Sequence, residues 1–195
     1  MKCKGCAQQL DGGEQIFIMS EFSEEHFAGK TFEAIVRMYS DTILRACLVH
    51  CSNSEDAKDC FQNTFLKLYT SDKKFNEPEH VKAWLLTVAM HECAQQHRSR
   101  WNRCVSLTDD YNSTLLNELE YLDDSNSIGE SGSVLEQVLK LAPIYREVIY
   151  LYYYEEQDVK QIARTLGINT NTVKTRLSRG RKLLQVKVKE EFGIC

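Results

Sequence analysis

The segment 158–184, DVKQIARTLGINTNTVKTRLSRGRKLL, constrains the fold more than any other part of the chain. Apolar residues recur at i, i+3, i+4 and i+7 from Val159, which is the spacing of one face of a helix. Asp158 is placed to cap the start of this short helix, and Gly167 can adopt the left-handed conformation that ends it. Asn169 offers the cap of a second helix. The segment therefore predicts two short helices joined by a tight turn.

The second helix of this pair combines an apolar face with many cations. Val173, Leu177 and Leu184 are spaced to return to the core, which leaves the Lys and Arg side chains outside. Residues 158–189 contain nine Lys or Arg and a single acid, although the whole chain has a net charge of −4. A solvated helical hairpin would also carry surface charge. Periodicity, turn chemistry and charge together favour a DNA-binding helix-turn-helix, whose second helix suits the major groove.

Composition indicates an all-α protein. Only two prolines and nine glycines occur in 195 residues, and few stretches alternate as strands do. A hydrophobic content of 43% is sufficient for buried cores. No apolar run reaches the roughly 18 residues of a membrane helix, and the first five residues are not followed by a signal-peptide core. We expect a soluble, cytoplasmic protein without membrane insertion.

Changes in composition divide the chain into two small helical domains. Residues 1–29 are expected to form a tail, and residues 30–104 a domain of three helices. Residues 105–132 are expected to be an acidic flexible linker, because residues 105–136 hold eight acids and no Lys or Arg. This charge could replace phosphates in a nucleic-acid channel or simply keep the linker soluble. Residues 133–195 would form the second domain, which contains the helix-turn-helix.

The eight cysteines raise the question of a disulfide or metal site. Cys3-Lys4-Gly5-Cys6 is a C-x-x-C pair in the tail, and one such pair supplies only two of the four ligands that structural zinc requires. Cys3 and Cys6 could thus have no function, form a redox pair or be half of a zinc site. Four other cysteines lie in apolar helical patterns, where a free thiol behaves as a small hydrophobe, and we expect no metal there. These four are Cys47, Cys51, Cys60 and Cys93.

The end of the third helix mixes aromatic and basic side chains. Rings can stack on unpaired bases while Arg and Lys follow phosphates, so this composition suits single-stranded nucleic acid. A polar helix end stabilised by its dipole is the equally weighted alternative. The candidate residues are His91, Gln95, Arg98, Arg100 and Trp101.

Two stretches resemble the extracytoplasmic-function group of bacterial sigma-70-type sigma factors. Residues 54–68, SEDAKDCFQNTFLKL, are similar to the family pattern DAEDLVQETFLRL, and Trp84-Leu85 matches its W-L pair. Residues 141–183 match along the helix-turn-helix, as at Leu166-Gly167-Ile168. The resemblance covers about residues 31–192. It implies a sigma factor that binds core RNA polymerase and recognises the −10 and −35 promoter elements.

The resemblance also implies partners and site residues. The partners are the clamp coiled coil and flap of core polymerase, promoter DNA and an anti-sigma factor, with no cofactor. The protein would be associated with the nucleoid when bound to polymerase. The polymerase-binding residues would be Asp56, Asp59, Gln62, Asn63, Phe65 and Leu66. The −10 residues would be His91, Gln95, Arg98, Arg100 and Trp101. The −35 residues would be Thr170, Asn171, Thr172, Lys174, Thr175, Arg176, Ser178, Arg179 and Lys182.

Some residues depart from the family pattern. His91 and Gln95 stand where Asn and Asp are usual, so the −10 specificity cannot be copied from relatives. Glu156 replaces a common glycine before the helix-turn-helix, and Gly180 replaces a small alanine. We find no P-loop, H-E-x-x-H or G-x-S-x-G motif, and we expect no enzyme activity. The rival functions are a regulator that binds an operator without polymerase and a protein-binding adaptor.

Overall fold

A computed structural model describes residues 27, 29–51, 53–101 and 128–192, with the backbone alone at 97–101, 128–133 and 192. The described residues form seven α-helices and no strand, which confirms the all-α prediction. The helices are α1 (Phe32–His50), α2 (Ser54–Tyr69), α3 (Pro78–Trp101), α4 (Ile128–Leu139), α5 (Pro143–Tyr153), α6 (Val159–Leu166) and α7 (Thr170–Phe192). Helices α1 to α3 form an N-terminal bundle, and α4 to α7 form a C-terminal bundle.

Polar caps begin the first two helices of the N-terminal bundle. The Thr31 hydroxyl accepts a hydrogen bond from the backbone N–H of Ala34, at 3.3 Å. The Asn53 side chain accepts one from the backbone N–H of Asp56, at 2.7 Å. Each cap satisfies an N–H that the helix itself leaves unpaired. Both helices therefore begin directly after a residue whose side chain caps them.

The N-terminal bundle has a continuous apolar core. Its largest fully buried side chains include Ile35, Ile43, Leu68 and Leu85. Phe27 also belongs to this core, although the sequence assigned it to the tail. Phe27 is 1% exposed and forms an isolated parallel bridge with Phe75. A lone aromatic residue outside any periodic pattern gave no signal of burial.

The C-terminal bundle surrounds the buried residues of α5. Pro143 occupies the first turn of this helix, where its missing N–H costs no helical hydrogen bond. The buried Arg146 donates a hydrogen bond to the carbonyl oxygen of Leu139 at the end of α4, at 3.0 Å. Gly180 lets α7 approach α5 closely, because a Cβ there would lie 3.1 Å from Ile149 Cγ1. The absence of a side chain at Gly180 therefore serves packing.

Helix α4 begins earlier than the sequence indicated. Residues 128–132 were expected to belong to the linker because of their Gly and Ser content, yet they form the first turns of α4. Val138 and Leu139 are buried at the other end of this helix. Tertiary packing of that apolar face stabilises the helix against the low propensity of its glycines. The remainder of the predicted linker, residues 105–127, lies outside the described residues.

The two bundles pack against each other. Helix α3 contacts α6, and α1 contacts α5. Lys82 Nζ on α3 lies 2.9 Å from Glu155 Oε2, which follows α5. His50 Nδ1 on α1 lies 3.4 Å from Glu147 Oε1 on α5. None of the described helices is long and apolar enough to span a membrane.

Candidate polymerase and promoter interfaces

The helix-turn-helix forms through the local interactions that its sequence predicts. The Asp158 carboxylate accepts a hydrogen bond from the Gln161 backbone N–H, and the Gln161 side chain accepts one from the Asp158 backbone N–H. This reciprocal capping box starts α6. Gly167 ends it with φ 64° and ψ 33°. The Asn169 side chain then accepts a hydrogen bond from the Asn171 backbone N–H at 2.8 Å.

Helix α7 places the −35 candidates on its outer face. Val173 and Leu177 are buried against the rest of the C-terminal bundle. Thr170 and Arg176 are half-buried at the edge of that contact. The other seven candidates are exposed, and these are Asn171, Thr172, Lys174, Thr175, Ser178, Arg179 and Lys182. The helix therefore presents a polar and cationic surface that the bundle core does not use.

The basic residues of α7 have different surroundings. The Arg181 guanidinium lies 5.0 Å from the ring centroid of Tyr152 and 5.6 Å from that of Tyr153. These cation–π contacts hold Arg181 against α5. Arg176 lies near Glu147, whose pKa burial raises to about 7 while the positive charge of Arg176 acts in the opposite direction. Arg179 is exposed.

One exposed stripe of α2 contains four of the polymerase-binding candidates. Asp59, Gln62, Asn63 and Leu66 stand at i, i+3, i+4 and i+7, and all four are exposed. We call these four residues the α2 stripe. The Leu66 side chain is 59% exposed, which is the largest exposed fraction among the large hydrophobic residues that the structure describes.

The other two polymerase-binding candidates have structural roles in this arrangement. Asp56 is half-buried, and its backbone N–H donates a hydrogen bond to the side chain of Asn53, the N-cap of α2. Phe65 is only 6% exposed, and its ring lies 5.0 Å from that of Phe61. Phe65 therefore belongs to the core of the N-terminal bundle and not to its surface. Its influence on a partner would therefore come through the packing of α2.

The −10 candidates lie along the second half of α3. His91 and Gln95 are exposed there. The side chains of Arg98, Arg100 and Trp101 lie outside the described residues, although their backbone continues α3. The structure therefore places two of the five side chains on a common helix.

His91, one of the −10 candidates, faces the helix-turn-helix. A cleft between the bundles is lined by Met90, His91 and Ala94 from α3 and by Pro143 and Leu166 from the C-terminal bundle. A Cβ built at Gly167 would lie 3.9 Å from His91 Nε2. His91 is thus close to the turn of the helix-turn-helix. Sequence reasoning missed this proximity, because no local pattern reports packing between two bundles.

Four buried cysteines lie in the core of the N-terminal bundle. Cys47, Cys51, Cys60 and Cys93 are buried, as their apolar surroundings predicted. The sulfur atoms of Cys51, Cys60 and Cys93 all lie within 4.8 Å of one another. Local sequence patterns did not predict this proximity, because the three residues come from different helices. Cys3 and Cys6 lie outside the described residues.

Two family models match the chain. The model for sigma-70 region 2 matches residues 35–103, and the model for sigma-70 region 4 matches residues 131–184. Together they cover more than half of the chain. The first contains the α2 stripe and α3, and the second contains the helix-turn-helix.

Individual relatives agree with these matches. The chain is 28% identical to the ECF RNA polymerase sigma factor SigW of Bacillus subtilis over 167 residues, or 82% of this chain and 89% of the relative. It is 27% identical to the RNA polymerase sigma factor SigV of the same organism over 148 residues, or 75% and 84% of the two chains.

A solved structure has the same fold. It is the sigma factor RpoE in complex with the anti-sigma factor NepR from Bartonella quintana, which matches with a TM-score of 0.59 and 21% identity. The match covers 81% of this chain and 96% of that one. Two helical bundles in the same order, matches to both sigma-70 regions and these relatives lead to one conclusion. The chain belongs to the extracytoplasmic-function group of the sigma-70 family of bacterial RNA polymerase sigma factors.

Proposed function

We propose that this chain binds core RNA polymerase and directs it to promoters that carry −10 and −35 elements. The proposal assigns the α2 stripe to the clamp coiled coil of polymerase. It assigns the second half of α3 to the −10 element and the outer face of α7 to the −35 element. Residues 105–127 would connect the two bundles along the polymerase surface.

One observation carries the proposal: the chain exposes two separate helix faces that its own core does not require. On α2, an apolar Leu66 lies among polar side chains, an arrangement that provides both apolar contact area and hydrogen bonds for a protein partner. On α7, exposed cations and amides can contact phosphates and base edges of duplex DNA. A protein partner and a DNA partner are thus supported by different helices.

An anti-sigma partner is part of this proposal. RpoE was solved in complex with the anti-sigma factor NepR, and CnrH in complex with the cytosolic domain of CnrY. We infer that this chain is likewise controlled by a protein that binds one or both bundles. Such a partner would compete with polymerase if it covered the α2 stripe.

Promoter binding in this scheme requires the bundles to separate. His91 faces the helix-turn-helix across the cleft between α3 and α6. Single-stranded −10 DNA at His91 would need the space that the C-terminal bundle now occupies. Core polymerase would therefore bind an opened form of the chain, and part of its binding free energy would be used in opening.

The direct test combines polymerase binding with transcription. Asp59→Ala and Gln62→Ala should each weaken binding to core polymerase several-fold, because their side chains are exposed on the α2 stripe. Their melting temperatures should stay within about 2 °C of the parent, since surface substitutions usually change stability by less than 0.5 kcal/mol. Affinity for fluorescently labelled core enzyme and run-off transcription provide the measurements.

Asp72→Ala is the matched control, because Asp72 is exposed but lies outside the stripe. Normal core binding by both stripe variants would contradict the assignment of α2. Sequence-specific DNA binding by the chain alone, with no effect on polymerase, would instead favour an operator-binding regulator. Polymerase binding without any promoter-specific transcript would favour an adaptor.

A further inference from the structure

The buried cysteines come from all three helices of the N-terminal bundle. Cys47 lies in the last turn of α1 and Cys51 is the C-cap of that helix, while Cys60 lies on α2 and Cys93 on α3. All four are at most 1% exposed. Their convergence therefore joins segments that are up to 46 positions apart in the sequence.

Three of the sulfur atoms lie close enough together to bind one metal ion. The distance between Cys51 Sγ and Cys60 Sγ is 3.8 Å. Zinc bonds to thiolate sulfur at about 2.3 Å, so a regular tetrahedron of four such bonds has sulfur–sulfur edges of about 3.8 Å. Cys93 Sγ lies within 4.8 Å of both sulfurs. Cys47 lies outside this group of three but is a hydrogen-bonding neighbour of Cys93, which makes it the candidate for a fourth ligand.

Hydrophobic packing alone does not account for this arrangement. A small apolar side chain would fill the same space without grouping the polar atoms, and a thiol is only a weak hydrogen-bond donor. A disulfide would use two of the four sulfurs and leave two. An iron–sulfur cluster would place iron and sulfide between the cysteines and spread their sulfurs further apart. A single ion can bind the three grouped sulfurs and take Cys47 as its fourth ligand.

A cation would also suit the burial of these side chains. Metals bind the thiolate form of cysteine, and a dication supplies the positive charge that makes thiolates stable in a buried site.

We propose that Cys47, Cys51, Cys60 and Cys93 form a structural tetrathiolate site for Zn²⁺ in the core of the N-terminal bundle. Binding would form four Zn–S bonds and release the four thiol protons to solvent, with no change in oxidation state. The ion would link the end of α1 to α2 and α3. It would thereby fix the position of the α2 stripe relative to the second half of α3, whatever partner those helices bind.

The first test measures metal in the full chain purified without chelators. We expect about one equivalent of zinc by mass spectrometry. The double variant Cys3→Ser/Cys6→Ser is the matched control. It should keep the zinc, because the two cysteines that it replaces belong to the N-terminal tail and not to the proposed site. Cys60→Ala and Cys93→Ala should lose it. Zinc that is lost in the tail variant but kept in Cys93→Ala would overturn the proposal.

The second test does not depend on core variants that could fail to fold. The Cys3→Ser/Cys6→Ser protein, otherwise unchanged, is stripped of metal and titrated with Co²⁺. We expect the visible bands of tetrahedral cobalt and a near-ultraviolet sulfur-to-cobalt charge-transfer band, saturating at one equivalent and displaced by Zn²⁺. Zinc should also raise the melting temperature of this protein. Absence of the cobalt bands, or a melting temperature unchanged by zinc, would refute the site.

Discussion

At the scale of single residues, Glu156 shows how a departure from the family pattern is tolerated. Its φ is 52°, in the left-handed region that L-residues other than Asn and Asp rarely adopt. The family pattern that the sequence resembles has a glycine at this position, where the chain turns between α5 and α6. The backbone thus keeps the conformation that suits glycine, although a glutamate occupies it.

Glu156→Gly should therefore stabilise the protein. Relief of the left-handed strain is worth about 1–2 kcal/mol, and the greater freedom of glycine in the unfolded chain cancels about 0.5–1 kcal/mol of it. We expect a net gain on the order of 0.5–1 kcal/mol in the free energy of unfolding, measured by denaturant titration. Glu156→Ala is the control, because it removes the same carboxylate without relieving φ. An equal gain in both variants would mean that charge, and not backbone strain, limits stability.

At the scale of elements, each helix of the C-terminal bundle separates a packing face from an outer face. In α7, Val173, Leu177 and Gly180 lie against the bundle, while Arg179 lies outside. This division makes the outer face available for substitution without loss of the core. It also means that the proposed DNA binding by α7 can be tested separately from folding.

Arg179→Ala should weaken transcription from promoters that have a −35 element. The expected loss is about 1–3 kcal/mol of binding if the guanidinium contacts a base, and a smaller, sequence-independent loss with a reduced salt dependence if it contacts phosphate. Run-off transcription at several salt concentrations distinguishes the two. Lys189→Ala is the control, since Lys189 is exposed near the other end of α7. Full activity of Arg179→Ala on such promoters would contradict the assignment of Arg179 to the −35 element.

Local signals explain which elements could be predicted. The caps at Asn53 and Asp158 and the left-handed Gly167 depend on residues only a few positions apart, so their patterns were visible in the sequence. Burial of Phe27 depends on a partner far away, Phe75. The cysteine group and the contact between bundles depend on tertiary packing in the same way. The positions of the site residues on their helices followed from periodicity, but the proximity of His91 to Gly167 did not.

At the scale of the whole molecule, polar contacts connect the two bundles. The Glu155 side chain is nearly buried. Its carboxylate forms an ion pair with the Lys82 ammonium and accepts a hydrogen bond from the Tyr150 hydroxyl at 3.0 Å. These two contacts replace hydrogen bonds to water that the carboxylate loses on burial. The Lys82–Glu155 pair therefore favours the closed arrangement of the bundles.

Lys82→Ala should shift the chain toward an opened form. Loss of the ammonium leaves the Glu155 carboxylate without its charged partner, at a cost of about 1–3 kcal/mol. We expect a larger radius of gyration by small-angle X-ray scattering and lower energy transfer between dyes placed on the two bundles. Lys74→Ala, an exposed lysine in the connection between α2 and α3, is the control. Unchanged dimensions in Lys82→Ala would show that this pair does not hold the bundles together.

The cleft that brings His91 beside the helix-turn-helix has a consequence for the cell. In the proposed function, −10 DNA reaches His91 only after the bundles separate, so a closed copy of the chain would not contact both promoter elements. Surplus copies of the chain would then leave promoters unoccupied instead of blocking them. Binding to core RNA polymerase, and not the abundance of the chain alone, would then decide when the genes under its control are transcribed.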